Sequence, residues 1–151
     1  DEERDAVVIY LSPKDYHRVH FPREGHVTKW AYIPGTLWPV FPAAVRKVKG
    51  LFSRNERALV HVETEDGPID IAMIGAFGVG RITLSCCDLV TNTGGKATHD
   101  VFKNPMPCQR GAHLGTFHLG STVVLVTPKN QWTWNISVGD AVQMGQSIGE
   151  G

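Results

Sequence analysis

Gly120-Ser121 is the pair whose types could do chemistry on the chain itself. Glycine gives the backbone a freedom other residues lack, and the serine hydroxyl is a nucleophile beside the Gly120 carbonyl. Attack there would exchange the peptide bond for an ester. Gly-Ser is also a common turn dipeptide, so the pair needs partners. His17 and His20, three apart, are candidates for proton transfer near neutral pH. They stand in Tyr10-Leu-Ser-Pro-Lys-Asp-Tyr-His-Arg-Val-His-Phe-Pro22, where Pro13 and Pro22 imply turn or loop. A His-x-x-His pair can also hold a metal, and zinc needs further ligands. His61, Cys108, His113 and His118 are present, but their spacing matches no metal signature, so no metal is expected.

A second candidate patch is Leu51-Phe-Ser-Arg-Asn-Glu-Arg57, following Arg46-Lys-Val-Lys49. The guanidinium fork fits phosphate oxygens, which makes Arg54 and Arg57 candidate anion ligands. A solvated charged segment is the plainer reading. Just upstream, Leu37-Trp-Pro-Val-Phe-Pro42 is bulky, apolar and turn-rich. It reads either as core or as an exposed wedge, since Trp favours the membrane–water interface and basic neighbours suit an anionic surface.

The elements that must position these groups are mostly strands. Ala6–Leu11, His26–Ile33, Ala58–Glu63, Ile69–Ile74, Arg81–Cys86 and Thr122–Thr127 carry strand patterning. Glu65-Asp-Gly-Pro68 predicts a hairpin connection. One short helix is expected over Ala43–Lys49, and a long loop over Asn92–Ala112. Short β pieces separated by Gly-Asp and Gly-Gln turns are expected over Ile136–Gly149, similar to lipoyl-type barrel-sandwich hairpins but without a lysine for the cofactor. The expected fold is all-β or β-dominated, a β-sandwich or barrel-sandwich-like single domain over 1–151.

The 151 residues suffice for one core, and 15 basic residues balance 15 acidic ones, which gives no argument for a nucleic-acid partner. Three cysteines fit free thiols, and the adjacent Cys86 and Cys87 are expected on opposite faces of a strand. No apolar run approaches the about 20 residues of a membrane span, and no signal-peptide pattern is present. The chain opens at Asp1 without Met and reads as a fragment or processed product.

Taken together, Tyr10–Pro22, Leu51–Arg57 and Gly115-Thr-Phe-His-Leu-Gly-Ser-Thr122 resemble the phosphatidylserine decarboxylases, in order and across most of the chain. The resemblance implies autocatalytic cleavage between Gly120 and Ser121, giving chains 1–120 and 121–151, with a covalent pyruvoyl group formed from Ser121. It implies decarboxylation of phosphatidylserine to phosphatidylethanolamine through a Schiff base to that group. It assigns His20 as the base acting on Ser121 and His17 to the decarboxylation step, beside the Arg54 and Arg57 expected from their chemistry as substrate ligands. It further implies peripheral attachment to a bacterial inner membrane or to mitochondrial or endomembranes, with a homodimer among the assemblies left open. An aspartate that the family supplies upstream of the histidines has no match before Tyr10, and His113-Leu114 replaces an acidic residue common before Gly-x-Phe. A non-catalytic lipid-binding module on the same scaffold is therefore the alternative.

Overall fold

The structure, a computed structural model, describes residues 3–78, 81–118 and 121–151. Its frame is a six-stranded antiparallel sheet in the order β1-β9-β5-β4-β3-β7. The strands are β1 (Arg4–Leu11), β3 (Gly25–Ile33), β4 (Arg57–Thr64), β5 (Gly67–Ile74), β7 (Thr98–Cys108) and β9 (Ser121–Pro128). A three-stranded sheet of β2 (Arg18–His20), β8 (His113–Phe117) and β6 (Ile82–Leu84) covers one face. The two sheets meet tightly: a Cβ on Gly115 would lie 2.8 Å from the Met73 sulfur. Alternation does the sorting. Ala58, Val60, Val62, Ile69, Ile71, Met73, Val123 and Leu125 are buried from the large sheet, with Val19, Ile82, Leu84, Leu114 and Phe117 from the small one. The strand-dominated, single-domain reading therefore holds.

The β4–β5 hairpin forms where Asp66-Gly67 predicts it, pairing Thr64 with Gly67, whose φ of 100° needs a glycine. The expected helix shortens to α1 (Pro42–Lys47), because Val48 is extended and Gly50 takes a left-handed conformation that starts α2 (Leu51–Arg54). The 92–112 segment is not a long loop. It contains the eleven-residue strand β7, which lies at the sheet edge with only Cys108 buried. Its Pro105 and Pro107 are tolerated because an edge strand can leave one row of groups unpaired.

In the C-terminal stretch the turns at Val138-Gly139 and Met144-Gly145 form, and side chains close both. The Ser137 N–H donates to Asp140 Oδ2 at 2.8 Å, and the Gln143 N–H to Gln146 Oε1 at 3.0 Å. The strands expected between these turns are missing, and only the two-residue ladder of β10 (Thr133–Trp134) with β11 (Gly149–Glu150) remains. Nor do Cys86 and Cys87 alternate across a strand. β6 ends at Leu84, so the two cysteines follow the strand and do not belong to it.

Candidate active site

Ser121 is the first residue of β9 and has no exposed surface. It shares the core-facing side of the strand with Val123 and Leu125. Its Oγ has no hydrogen-bond partner among the described residues, and neither does Oγ1 of Thr122. A buried hydroxyl left in that condition costs about 1–3 kcal/mol. Such a group is a poor stabiliser, and sites that violate local satisfaction are where reactive residues tend to sit.

The His17 motif holds both ends of the segment between Phe117 and Ser121. β1 ends with Leu11 opposite Ser121. The chain then turns: the Ser12 N–H donates to Asp15 Oδ2 at 2.8 Å, and the Asp15 N–H to the Ser12 carbonyl at 2.9 Å. The Ser12 side chain, followed by the Ser12 N–H, holds the Asp15 carboxyl below its ordinary value. The Phe117 N–H donates to the His17 carbonyl at 3.0 Å, and β2 continues with Val19 opposite Gly115 and His20 opposite His113. Leu119 and Gly120, and with them the Gly120 side of the expected cleavage bond, lie outside the described residues.

The two histidines are bonded differently. Nδ1 of His17 lies 2.5 Å from the Asp15 carbonyl oxygen, which can only accept, so Nδ1 carries a proton and in the neutral ring Nε2 presents the lone pair. That Nε2 is buried and unpartnered among the described residues. Nδ1 of His20 donates to the Gly111 carbonyl at 2.8 Å. Its Nε2 receives the Tyr16 hydroxyl at 2.8 Å, with the two rings stacked at 5.7 Å. The His113 ring stands edge-on to His20 at 6.0 Å, and its Nε2 is 2.9 Å from Thr116 Oγ1. Backbone carbonyls orient both rings. Among the described residues, no ion pair involves His17 or His20.

The arginine candidates separate as well. Arg54 ends α2 with its side chain exposed. Arg57 is committed to the fold, its Nη1 donating to the carbonyls of Ser53 at 2.7 Å and Asn55 at 3.0 Å, and burial lowers its pKa.

Between them stands Asn55, fully buried and not singled out from its type or spacing. Its Oδ1 accepts from the Thr36 hydroxyl and the Trp38 N–H, and its Nδ2 donates to the carbonyls of Trp38 and Gly75. One amide thus pins the 36–38 and 75 loops together. Glu56 is buried too, receiving the Tyr32 hydroxyl at 3.3 Å, and burial followed by the Glu56 charge raises the Tyr32 pKa. The signal for Asn55 was its place inside the Leu51–Arg57 motif, where the arginines drew attention.

Two open hollows lie elsewhere. One of about 310 Å³ is lined by Trp30, Tyr32 and Lys96, and one of about 430 Å³ by Phe21, Cys108 and His113. Neither is lined by Ser121 or His17. No three His, Cys, Asp or Glu side chains are grouped to hold a metal ion among the described residues.

Fold and site together define an antiparallel β protein in which the Ser121 hydroxyl and Nε2 of His17 are both buried and unpartnered among the described residues. The sequence model of the phosphatidylserine decarboxylase family matches residues 2–150, and the chain belongs to that family. It is 43% identical over 147 residues to a phosphatidylserine decarboxylase proenzyme of Anaeromyxobacter sp. (strain K), covering 93% of this chain and 52% of the relative. It is 40% identical over 143 residues to the proenzyme of Myxococcus xanthus (strain DK1622), covering 93% and 51%. A third relative, from Marinobacter nauticus, is 38% identical over 152 residues, covering 98% and 53%. The chain thus spans about half the length of the curated relatives it matches.

Proposed function

We propose that this chain carries the self-processing and decarboxylating centre of an enzyme that converts phosphatidylserine to phosphatidylethanolamine. The observation that carries the reading is the orphaned Ser121 Oγ at the start of β9, in a region the His17 motif grips from both sides. A hydroxyl that stabilises nothing by hydrogen bonding fits a reactant.

Ser121 Oγ would attack the Gly120 carbonyl carbon while a histidine takes the hydroxyl proton and returns it to the departing Ser121 nitrogen. The peptide bond becomes an ester. Removal of the residue-121 Cα proton then expels the Gly120 carboxylate, and one water releases ammonia. What remains is residue 120 as a free carboxylate and a pyruvoyl group heading the chain from 121. That group supplies a carbonyl able to take up the electron pair freed when CO₂ leaves an amine-bearing substrate. Peripheral membrane attachment follows from the lipid nature of the substrate.

His20 is assigned as the base for self-cleavage and His17 as the proton donor in decarboxylation. For His20 to act, Tyr16 must withdraw its hydroxyl from Nε2. The open lone pair on His17 Nε2 favours a second reading in which the two roles exchange. Arg54, exposed and free of the backbone contacts that occupy Arg57, is the better candidate for the lipid phosphate. The relatives' proenzyme names weigh against a purely non-catalytic module.

Intact mass spectrometry of the purified protein tests the reading. Two chains are expected, the smaller beginning at residue 121 with a blocked, ammonia-depleted terminus, and a single uncleaved chain for Ser121→Ala. Cleavage that persists in Ser121→Ala would exclude Ser121 as the nucleophile.

A further inference from the structure

The net charge of zero conceals a segregation. Tyr10, Thr122, Ile74, Arg57 and Ile33 pair in sequence across the large sheet and form one transverse row. Ser121, opposite Leu11, stands at the edge of that row. The connections leaving it include 12–17, 34–56 and 75–78, with Arg81 before β6. All five exposed aromatic side chains among the described residues lie on the row or its connections: Tyr10, Tyr16, Trp38, Phe41 and Phe77. Phe77 is 81% exposed, and Trp38 and Phe41 are each 47% exposed.

These are not scattered surface residues. Asn55 ties the Trp38 backbone to Gly75, two residues before Phe77, and Phe41, three residues after Trp38, is the N-cap residue of α1. α1 buries none of its residues. The same connections carry six basic residues, Lys14, Arg46, Lys47, Lys49, Arg54 and Arg81. Their only acids are Asp15 and Glu56, and Glu56 is buried. Five acids, Glu3, Asp5, Glu63, Glu65 and Asp66, gather at the other end of the sheet, on or beside the β1 start and the β4–β5 hairpin, while Asp88 and Asp100 lie by the β3–β7 edge.

We infer that the Trp38–Phe41–Phe77 face, with its collar of Lys and Arg, docks on an anionic phospholipid bilayer and brings the Ser121 end of the sheet to the headgroup layer. Aromatic side chains settle at the membrane interface, and clustered Lys and Arg are drawn to the negative surface. A second copy of the chain would set this basic collar against itself, so charge complementarity selects the bilayer. The inference rests on the phosphatidylserine reading for the purpose of docking, but not for the docking itself.

The full chain is to be sedimented with vesicles of equal parts phosphatidylcholine and phosphatidylglycerol, and with phosphatidylcholine alone. Phosphatidylglycerol supplies the charge without the amine substrate. Binding is expected to the mixed vesicles, weakened by salt, and to fall at least about tenfold in Trp38→Ser/Phe41→Ser/Phe77→Ser. A second variant, Lys47→Glu/Lys49→Glu, should lose the preference for anionic vesicles while unfolding at the wild-type temperature. Both variants should still cleave at 120/121. Equal binding to both vesicle types, unchanged binding in both variants, or a dimer that depends on the three aromatics without vesicle binding would each overturn the docking face. A wild-type chain that binds vesicles yet never cleaves would sink the processing reading and leave this one standing.

Discussion

At the hairpin end of the large sheet the charged groups find one another, although Oγ1 of Thr127 and Nε1 of Trp132 are unpaired there among the described residues. Arg4 pairs with Asp70 at 2.9 Å, Arg23 with Asp66, Lys129 with Glu3, and His61 lies between Asp70 at 2.5 Å and Glu63 at 3.0 Å. At the Ser121 end the buried polar atoms of His17, Ser121 and Thr122 are left unpaired among the described residues, and the basic side chains of α1 face solvent. Both ends belong to the same strands, so the contrast does not come from the fold. One end is arranged for solubility and stability. The other keeps groups poised at an energetic cost, as expected where a residue must react and a surface must meet a partner.

The largest effects that could break this contrast lie in the histidine pair. His20→Ala should slow conversion to two chains by roughly 10²–10⁴-fold, the usual worth of a positioned base, followed as band conversion over time. His17→Ala should leave cleavage near its wild-type rate and lower product formation by a similar factor. Tyr16→Phe frees His20 Nε2 and should leave cleavage at least as fast. If His17→Ala stops cleavage and His20→Ala does not, the two roles are exchanged. If Tyr16→Phe stops it as well, the hydroxyl is part of the proton path and not an occupant to be removed.

Next in size is Asn55, which holds the two aromatic loops in place. Asn55→Ala strands the Trp38 N–H and the Trp38 and Gly75 carbonyls, while the Thr36 hydroxyl keeps the Arg54 carbonyl, so a loss of about 3 kcal/mol is expected. For a chain of this size that lowers the unfolding temperature by roughly 6–12 °C. Calorimetry measures it, and a change under about 1 kcal/mol would mean water replaces the amide freely. Vesicle binding should fall with it, because Trp38 and Phe77 are no longer held on one face.

How much of this was legible in the sequence depended on how local the signal was. The β4–β5 hairpin was legible because alternation and Asp66-Gly67 are both short-range. Ser121, His17 and His20 were singled out as candidates by type and motif. Strand β7 was missed because an edge strand with mostly exposed side chains carries no hydrophobic period, and its prolines argue for a loop. The α1–α2 break was missed because it hangs on one left-handed Gly50. The bonding of the histidines was illegible, since the partner of His20 is the carbonyl of Gly111, 91 residues away. The charge segregation was equally hidden, because it appears only when strand register brings distant turns to one end. The balanced total charge gave no argument for nucleic acid, and the basic neighbours of the Leu37–Pro42 wedge already suited an anionic surface, but their gathering with Phe77 at one end needed the register.

The smallest effects lie at the hairpin end, and they sharpen the contrast by being small. Lys129 and Glu3 are both largely exposed, at 46% and 74%. Exposed pairs of this kind contribute about 0–1 kcal/mol and are screened by salt, so Lys129→Ala should fall within about 0.5 kcal/mol of wild type. Arg23 also sits over the Trp132 ring at 5.4 Å while pairing with Asp66. Arg23→Ala therefore removes packing as well as charge, and about 1 kcal/mol is expected. Denaturant unfolding at low salt and near 1 M salt separates the two contributions, because the Debye length shrinks to about 3 Å at the higher concentration. The Lys129 difference should vanish there, while most of the Arg23 difference should persist. If Lys129→Ala instead costs several kcal/mol in high salt, the acidic end is a packed structural site, and the division of labour between the two ends of the sheet fails.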